Sequence, residues 1–313
     1  MDTALLARPG LAVDPVNDAR HRLGDEPFAR ESIPYLVSLP DAGIALFTYT
    51  WVDRTSNAGA MLVIFGPGVG PEPVQIRLTD RPVPGDMNFS HWRIEGFSMR
   101  QDLRFGTADV RWESPEALLE LRFEAFHPPY SYSANAGGCP PYAAIDRIEQ
   151  SGRATGRLVL NGKAIDFDTT GHRDHSWGTR DWRTMQHYKW FEGQAGPDIS
   201  VHFWELQALG RTELRGYVFK DGLMAEVSDL TVAWEHDTDF RQTQFDATLQ
   251  DEAGRVTSVS VNFFAHYPLI PDPALVLNEG AGRALIDGKQ GLGRLEVAWP
   301  IDYLAHIKST GAY

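Results

Sequence analysis

The chain has 313 residues, 42% hydrophobic and 23% charged, which excludes a disordered polymer and supplies enough apolar side chain for two cores of ordinary size. A formal net charge of −13 works against partners that carry phosphate, so neither nucleic acid nor an anionic membrane surface is expected as a partner. A single cysteine, Cys139, excludes an intramolecular disulfide and fits a reducing compartment.

The first 24 residues carry Asp2, Asp14 and Asp18 where a secretion signal would be apolar; neither a signal peptide nor stable membrane insertion is expected, and the chain reads as cytoplasmic. Pro27 to Glu31 reads as a short helical piece. From Gly43 to Val52, Ile44, Leu46, Thr48 and Thr50 alternate with Ala45, Phe47, Tyr49 and Trp51, and Ala60 to Phe65 is a short apolar run; both predict strands. The loop at Gly66 to Pro73 has prolines where a phosphate cradle needs backbone N–H donors. Leu119, Leu121, Phe123 and Ala125 face one way and Glu120, Arg122 and Glu124 the other, a period of two that no helix keeps. Cys139 lies in Gly137-Gly138-Cys139-Pro140-Pro141, a turn without the adjacent base that a nucleophile requires. Asn161-Gly162 is the turn chemistry of a two-residue hairpin.

Beyond that hairpin, strand patterns recur at Trp190 to Gly193, Ile199 to Leu209, Leu214 to Phe219, Leu230 to Trp234, Gln244 to Leu249, Thr257 to Ala265 and Gly293 to Ala298, and a final helical turn is expected near Tyr303 to Ile307. Many short strands with regular turns describe an all-β protein, sandwich or barrel. The end of one strand, Phe123-Glu-Ala-Phe-His127-Pro128, is echoed at Phe263-Phe-Ala-His266-Tyr-Pro268, which supports two similar halves. The division is expected at the hairpin, giving domains 1–165 and 166–313.

Residues 171 to 182, Gly-His-Arg-Asp-His-Ser-Trp-Gly-Thr-Arg-Asp-Trp, hold two acids, two arginines, two histidines and two tryptophans in twelve positions. A surface loop would not need the large aromatics, and a core strand would not need the charges. In an extended strand Asp174 and Ser176 point to one side, with Arg173, His175 and Trp177 on the other, unless bulges at Gly171 or Gly178 re-aim them. Asp174 and His175 are the candidate catalytic residues, one acting as acid or base while the other orients it or anchors the strand. Arg173 and Arg180 would hold Asp174 ionised if they paired with it.

Asp174-His175-Ser176-Trp177-Gly178 resembles the Asp-His-Asn/Ser-Trp-Gly signature of the carotenoid 1,2-hydratase (hydroxyneurosporene synthase) family, whose relatives include kievitone hydratase and several cyclising enzymes. Ala144 to Gln150 and Asn278-Glu279-Gly280 extend the resemblance, which covers the chain from about Phe123 onward. It implies two lipocalin-like, calycin-type β-barrel domains packed on each other. It also implies a cofactor-independent hydratase or cyclase/isomerase working by acid-base catalysis on a hydrophobic unsaturated small molecule of terpenoid, steroid or polyketide type.

Trp177, Arg180, Tyr188, Trp190, His202, Trp204 and Glu149 are the candidate substrate-binding residues. Tyr188 and Trp190 share one strand face, as do His202 and Trp204, and electron-rich rings suit a substrate that passes through a positive carbon. Glu149 alternatively forms a surface ion pair with Arg147 or Arg153. No metal or cofactor is expected, because His172, His175, His187 and His202 show no familiar ligand spacing. Two rival readings stand beside the enzyme: a non-catalytic carrier of an apolar ligand, and a purely architectural motif of ion pairs and a tryptophan plug. Oligomeric state is left open.

Overall fold

A computed structural model describes residues 5–311. Twenty strands run in chain order: β1 Leu5–Leu6, β2 Ala29–Leu39, β3 Ile44–Asp53, β4 Asn57–Phe65, β5 Val74–Pro82, β6 Trp92–Ile94, β7 Phe97–Gln101, β8 Thr107–Glu113, β9 Ala117–Ala125, β10 Tyr130–Ser131, β11 Asp146–Leu160, β12 Lys163–Thr179, β13 Met185–Ala195, β14 Ile199–Ala208, β15 Arg211–Lys220, β16 Leu223–His236, β17 Gln242–Asp251, β18 Val256–Asp272, β19 Leu275–Ile286 and β20 Lys289–Pro300. One α-helix, α1 Ile301–Thr310, follows where the final turn was expected. Among the described residues no helix is long and apolar enough to cross a membrane.

The chain divides into two compact units, Pro9–Arg180 and the part from Asp181 onward together with β1. In the first, one antiparallel sheet runs β5-β4-β3-β2-β12-β11-β9-β8-β7-β6. In the second, the order β16-β15-β14-β13-β20-β19-β18-β17 closes through β16 and β17 into an eight-stranded barrel. The echoed sequences fall at the end of β9 and inside β18, which continues to Asp272, so the expected end of a strand holds for the first only. Each unit has its own core. The first is built on Ile33, Tyr35, Leu62, Trp92, Trp112 and Leu158, the second on Phe191, Phe203, Phe245 and Val297.

The hairpin forms as its turn chemistry requires: Asn161 and Gly162 have φ of 52° and 76°, and Leu160 pairs with Lys163. The expected division at 165/166 moves to Arg180/Asp181. β12 is hydrogen-bonded on both edges inside the first unit, to β11 from Lys163 to Trp177 and to β2 from Gly171 to Thr179. The motif therefore completes the first unit rather than opening the second. The helical piece expected at Pro27 to Glu31 is not formed, because Phe28 takes a left-handed φ of 59° and β2 begins at Ala29. The exception allowed for bulges at Gly171 or Gly178 does not arise against β11, whose register with β12 is unbroken. The β11 ladder stops at Trp177, just before Gly178, which has φ 111° and where a Cβ would lie 2.5 Å from the Ile145 nitrogen, while pairing with β2 continues to Thr179.

Candidate active site

Alternation along two adjacent strands builds the site. Glu149 faces Asp174 across β11 and β12, Arg147 faces Ser176 and Ser151 faces His172. These six side chains project from one side of the sheet. Ile148, Gln150, Arg173, His175 and Trp177 project from the other, the side on which Ile33, Tyr35 and Ala154 form the core. The ladder to β2 runs to Arg173–Tyr35 and resumes at Ser176–Ser32; Pro34, which has no N–H to give, falls in the gap.

On the side away from the core, Glu149 is fully buried and accepts from Tyr132 Oη at 3.0 Å and Arg147 Nε at 2.7 Å; its second oxygen lies 2.8 Å from His172 Nε2. His172 Nδ1 is 3.0 Å from Ser151 Oγ. Arg147 also bonds Asp174 through its other arm, to Oδ2. Oδ1 of Asp174 is buried with no hydrogen-bond partner among the described residues. Burial, opposed by Arg147 and reinforced by the Glu149 charge, pushes the Asp174 carboxyl up to about 6. Burial and the same glutamate raise Tyr132 well above the usual phenol range, so it remains a donor.

Arg173 is turned to the other side of the sheet, 2.8 Å from Asp18 Oδ1 and 3.1 Å from Gln150 Oε1. Arg180, whose charge still works to lower the Asp174 pKa, donates to Ala143 O at 2.8 Å and Ser176 Oγ at 2.7 Å. Of the two alternative partners of Glu149, Arg147 forms the pair, in a buried setting, while Arg153 pairs with Asp168.

The core-side residues of the motif hold a segment that precedes β2. Asp18 receives the Arg173 bond and, at 2.8 Å, the Phe105 N–H. His175 Nε2 lies 2.7 Å from Glu31 Oε1, and His21 Nδ1 lies 2.8 Å from that same oxygen. Trp177 stacks on the His21 ring at 3.7 Å and 10° and packs with Phe105 and Ile148. Burial lowers the His175 pKa against the opposing pull of Glu31. Burial would raise Glu31, but hydrogen bonds from His175 and His21 outweigh it and hold the carboxyl below its ordinary value. Asp174 and His175, adjacent in sequence, thus serve opposite sides of one sheet.

A family model described as a domain of unknown function, DUF7064, matches residues 14–301. The chain belongs to this family. No curated protein matches it. Solved structures similar to it include CghA, at 13% identity and TM-score 0.62 over 87% of this chain and 88% of that one. A putative AttH from Nitrosomonas europaea matches at 13% identity and TM-score 0.62 over 93% and 98%. Kievitone hydratase from Nectria haematococca matches at 9% identity and TM-score 0.59 over 87% and 88%. Such likenesses establish the fold, and this DUF7064 member is an all-β protein of two lipocalin-like domains.

In the second unit of this family member, Tyr188, Trp190 and Glu192 pair directly with Leu206, Trp204 and His202 on β13 and β14. All six side chains lie on the face opposite Phe191 and Phe203, away from that barrel's core. Tyr188 meets Trp204 edge-on at 5.5 Å, Trp190 lies 5.3 Å from His202, and Tyr188 Oη donates to Glu296 at 2.5 Å. Sequence reasoning missed Tyr132, Ser151 and His172 as neighbours of Glu149 and Asp174, and Arg147 as a partner of Asp174; the Arg147 pair it allowed for Glu149 forms, buried rather than on the surface. The alternating Arg147, Glu149 and Ser151 and the matching His172, Asp174 and Ser176 carry that signal, once the hairpin fixes their register. Asp18, His21 and Glu31 leave no comparable trace, since only the tertiary path brings them to the motif.

Proposed function

We propose that this protein is a hydratase or cyclase/isomerase that protonates a hydrophobic unsaturated small molecule, with Asp174 as the acid. The observation that carries the reading is a buried carboxyl raised to about 6, with one oxygen bound by Arg147 and the other bare. A proton on that bare oxygen is held at near-neutral pH and can be delivered, as general-acid work on an alkene, epoxide or carbonyl requires. Glu149 is the contrasting partner: its oxygens are already engaged by Tyr132, Arg147 and His172. We assign it to fixing Arg147 and His172. His175 anchors the strand through Glu31, Trp177 packs behind it, and Arg180 clamps Ser176 to the Ala143 carbonyl. Tyr188, Trp190, His202 and Trp204 offer an aromatic face of the second unit suited to an apolar ligand.

The fold shared with kievitone hydratase and the motif's resemblance to carotenoid 1,2-hydratases favour water addition or internal capture as the following step. A carrier would pair every ionisable group, and the bare Asp174 oxygen weighs against it. The test is turnover in deuterium oxide against a panel of unsaturated terpenoids, steroids and polyketides. From an alkene substrate, one carbon-bound deuterium should enter the product with the natural protein and none with Asp174→Asn, whereas an epoxide or carbonyl substrate, protonated on oxygen, is followed by product formation alone. Ligand binding without exchange or product formation by either protein would establish the carrier instead.

A further inference from the structure

On the core side of the first unit, two imidazoles and one carboxylate converge outside the proposed acid-base set. His21 Nδ1, His175 Nε2 and a Glu31 oxygen all lie within 4.8 Å of one another. Both nitrogens stand 2.7–2.8 Å from the same oxygen, Glu31 Oε1. Ligand atoms on adjacent corners of an octahedron with bonds of about 2.1 Å are about 3 Å apart, so small shifts would admit an ion between them.

The rings are oriented for such a role. Trp177 fixes the plane of His21 by stacking at 3.7 Å, and the far nitrogen of His21 points to Asn17 Oδ1 at 3.5 Å, the acceptor that a metal-bound imidazole takes behind it. His175 Nδ1 is buried and has no hydrogen-bond partner among the described residues. In the metal-free protein the Glu31 oxygen at 2.7 Å holds the proton on Nε2; an ion would take the place of that proton, Nε2 then giving its lone pair to the metal and Nδ1 carrying the ring proton. An entry path exists: the His21 side chain is 19% exposed, whereas Glu31 and His175 are sealed. His21 also lines a cavity of about 580 Å³ with Arg20, Asp53 and Arg54.

We infer that His21, Glu31 and His175 form a site for one divalent first-row transition metal, of the two-histidine, one-carboxylate type. Imidazole nitrogen and carboxylate oxygen suit zinc, cobalt, nickel or iron(II), and three protein ligands leave further positions for water or a small ligand. The ion would also tie the segment around His21 to β2 and β12, so binding should raise the melting temperature. This inference is independent of the acid role given to Asp174, which projects from the opposite side of β12.

The experiment is equilibrium dialysis of chelator-treated full-length protein against Zn²⁺ with metal analysis, paired with Co²⁺ titration followed by absorption and by paramagnetically shifted proton NMR. The natural chain should take up one equivalent and show resonances from two Co²⁺-bound imidazoles. His21→Ala, checked for native circular dichroism, should weaken uptake at least tenfold, and His187→Ala should leave it unchanged. No stoichiometric uptake, or equal uptake by His21→Ala and Glu31→Gln proteins with native circular dichroism, overturns the site. If Glu31→Gln fails to fold, the Co²⁺ resonances of the natural chain still decide: fewer than two imidazoles overturns it.

Discussion

Glu149 and Asp174 stand opposite each other on β11 and β12, and the one guanidinium of Arg147 bonds both carboxylates. Sharing a single cation makes the two acids unequal. Glu149 has Tyr132 and His172 besides, while Asp174 has Arg147 at one oxygen and nothing at the other. Two carboxylates with different surroundings on one face are the usual basis for dividing chemical roles between them.

Asp174→Asn should therefore remove turnover without unfolding the protein, since the amide oxygen still accepts from Arg147. General-acid catalysis is worth about 10²–10⁴-fold, and a loss of that order in kcat is expected. In the natural protein the rate should be high below pH 6 and fall above it, because the donor is the protonated form and its pKa is about 6. A pH–rate profile with no limb near 6, or an Asp174→Asn protein of normal rate, removes Asp174 from the mechanism.

Arg147→Met leaves Asp174 and Glu149 facing each other with no cation between them. Breaking a buried ion pair costs about 3–5 kcal/mol, and the loss should be largest at alkaline pH, where both carboxyls are ionised. Acidification should recover part of it, since Asp174 then takes up a proton. Urea denaturation at pH 5 and pH 8 measures the difference; equal losses at the two values would mean that Asp174 does not change its protonation state between them.

Acid sensitivity should come in part from His127, a buried imidazole whose pKa burial lowers to about 3, with the Pro128 carbonyl opposing. The folded state binds fewer protons than the unfolded state between that value and the ordinary 6.5. Stability is then fully present above 6.5 and falls as the pH drops through the window, by about 1.4 kcal/mol per unit for one proton. His175, also lowered by burial, adds in the same direction. His127→Gln should reduce the slope of unfolding free energy against pH between 6.5 and 4 by nearly one proton. An unchanged slope assigns the acid sensitivity elsewhere.

The strands, the hairpin and the opposite facing of Asp174 and His175 were legible because each follows from local rules: alternation of period two and the left-handed turn at Asn161-Gly162. The domain boundary was not legible. Its position depends on which edges β12 pairs with, and the pattern of Lys163 to Thr179 is the same whether that strand closes one sheet or opens another. Which arginine pairs with Asp174 was left open by the sequence for a related reason. Arg173 and Arg180 are nearest to Asp174 in sequence, yet alternation turns Arg173 to the far side and Gly178 bends the chain before Arg180, so Arg147 on the neighbouring strand becomes the partner. The second ring of contacts, from Asp18 and His21, comes from a segment with only short 3-10 turns that carries no periodic signal.

That segment supplies the last prediction. Asp18 is fully buried, with one oxygen on Arg173 and the other on the Phe105 N–H. Asp18→Asn preserves the shape but removes the charge facing a buried guanidinium, leaving it neutral contacts with Gln150 at 3.1 Å, the Tyr35 hydroxyl and the Phe105 ring at 5.2 Å. The expected loss is again about 3–5 kcal/mol. It should be spent locally first, since the residues from Pro9 to Phe28 form no sheet pairs and can leave while the ten-stranded ladder stays intact. Limited proteolysis with mass spectrometry should find cleavage between Pro9 and Phe28 in Asp18→Asn under conditions that spare the natural protein. Acid chemistry at Asp174, on the other side of β12, should continue at low temperature. Equal resistance of the two proteins would show that Arg173 and Asp18 do not hold the segment down.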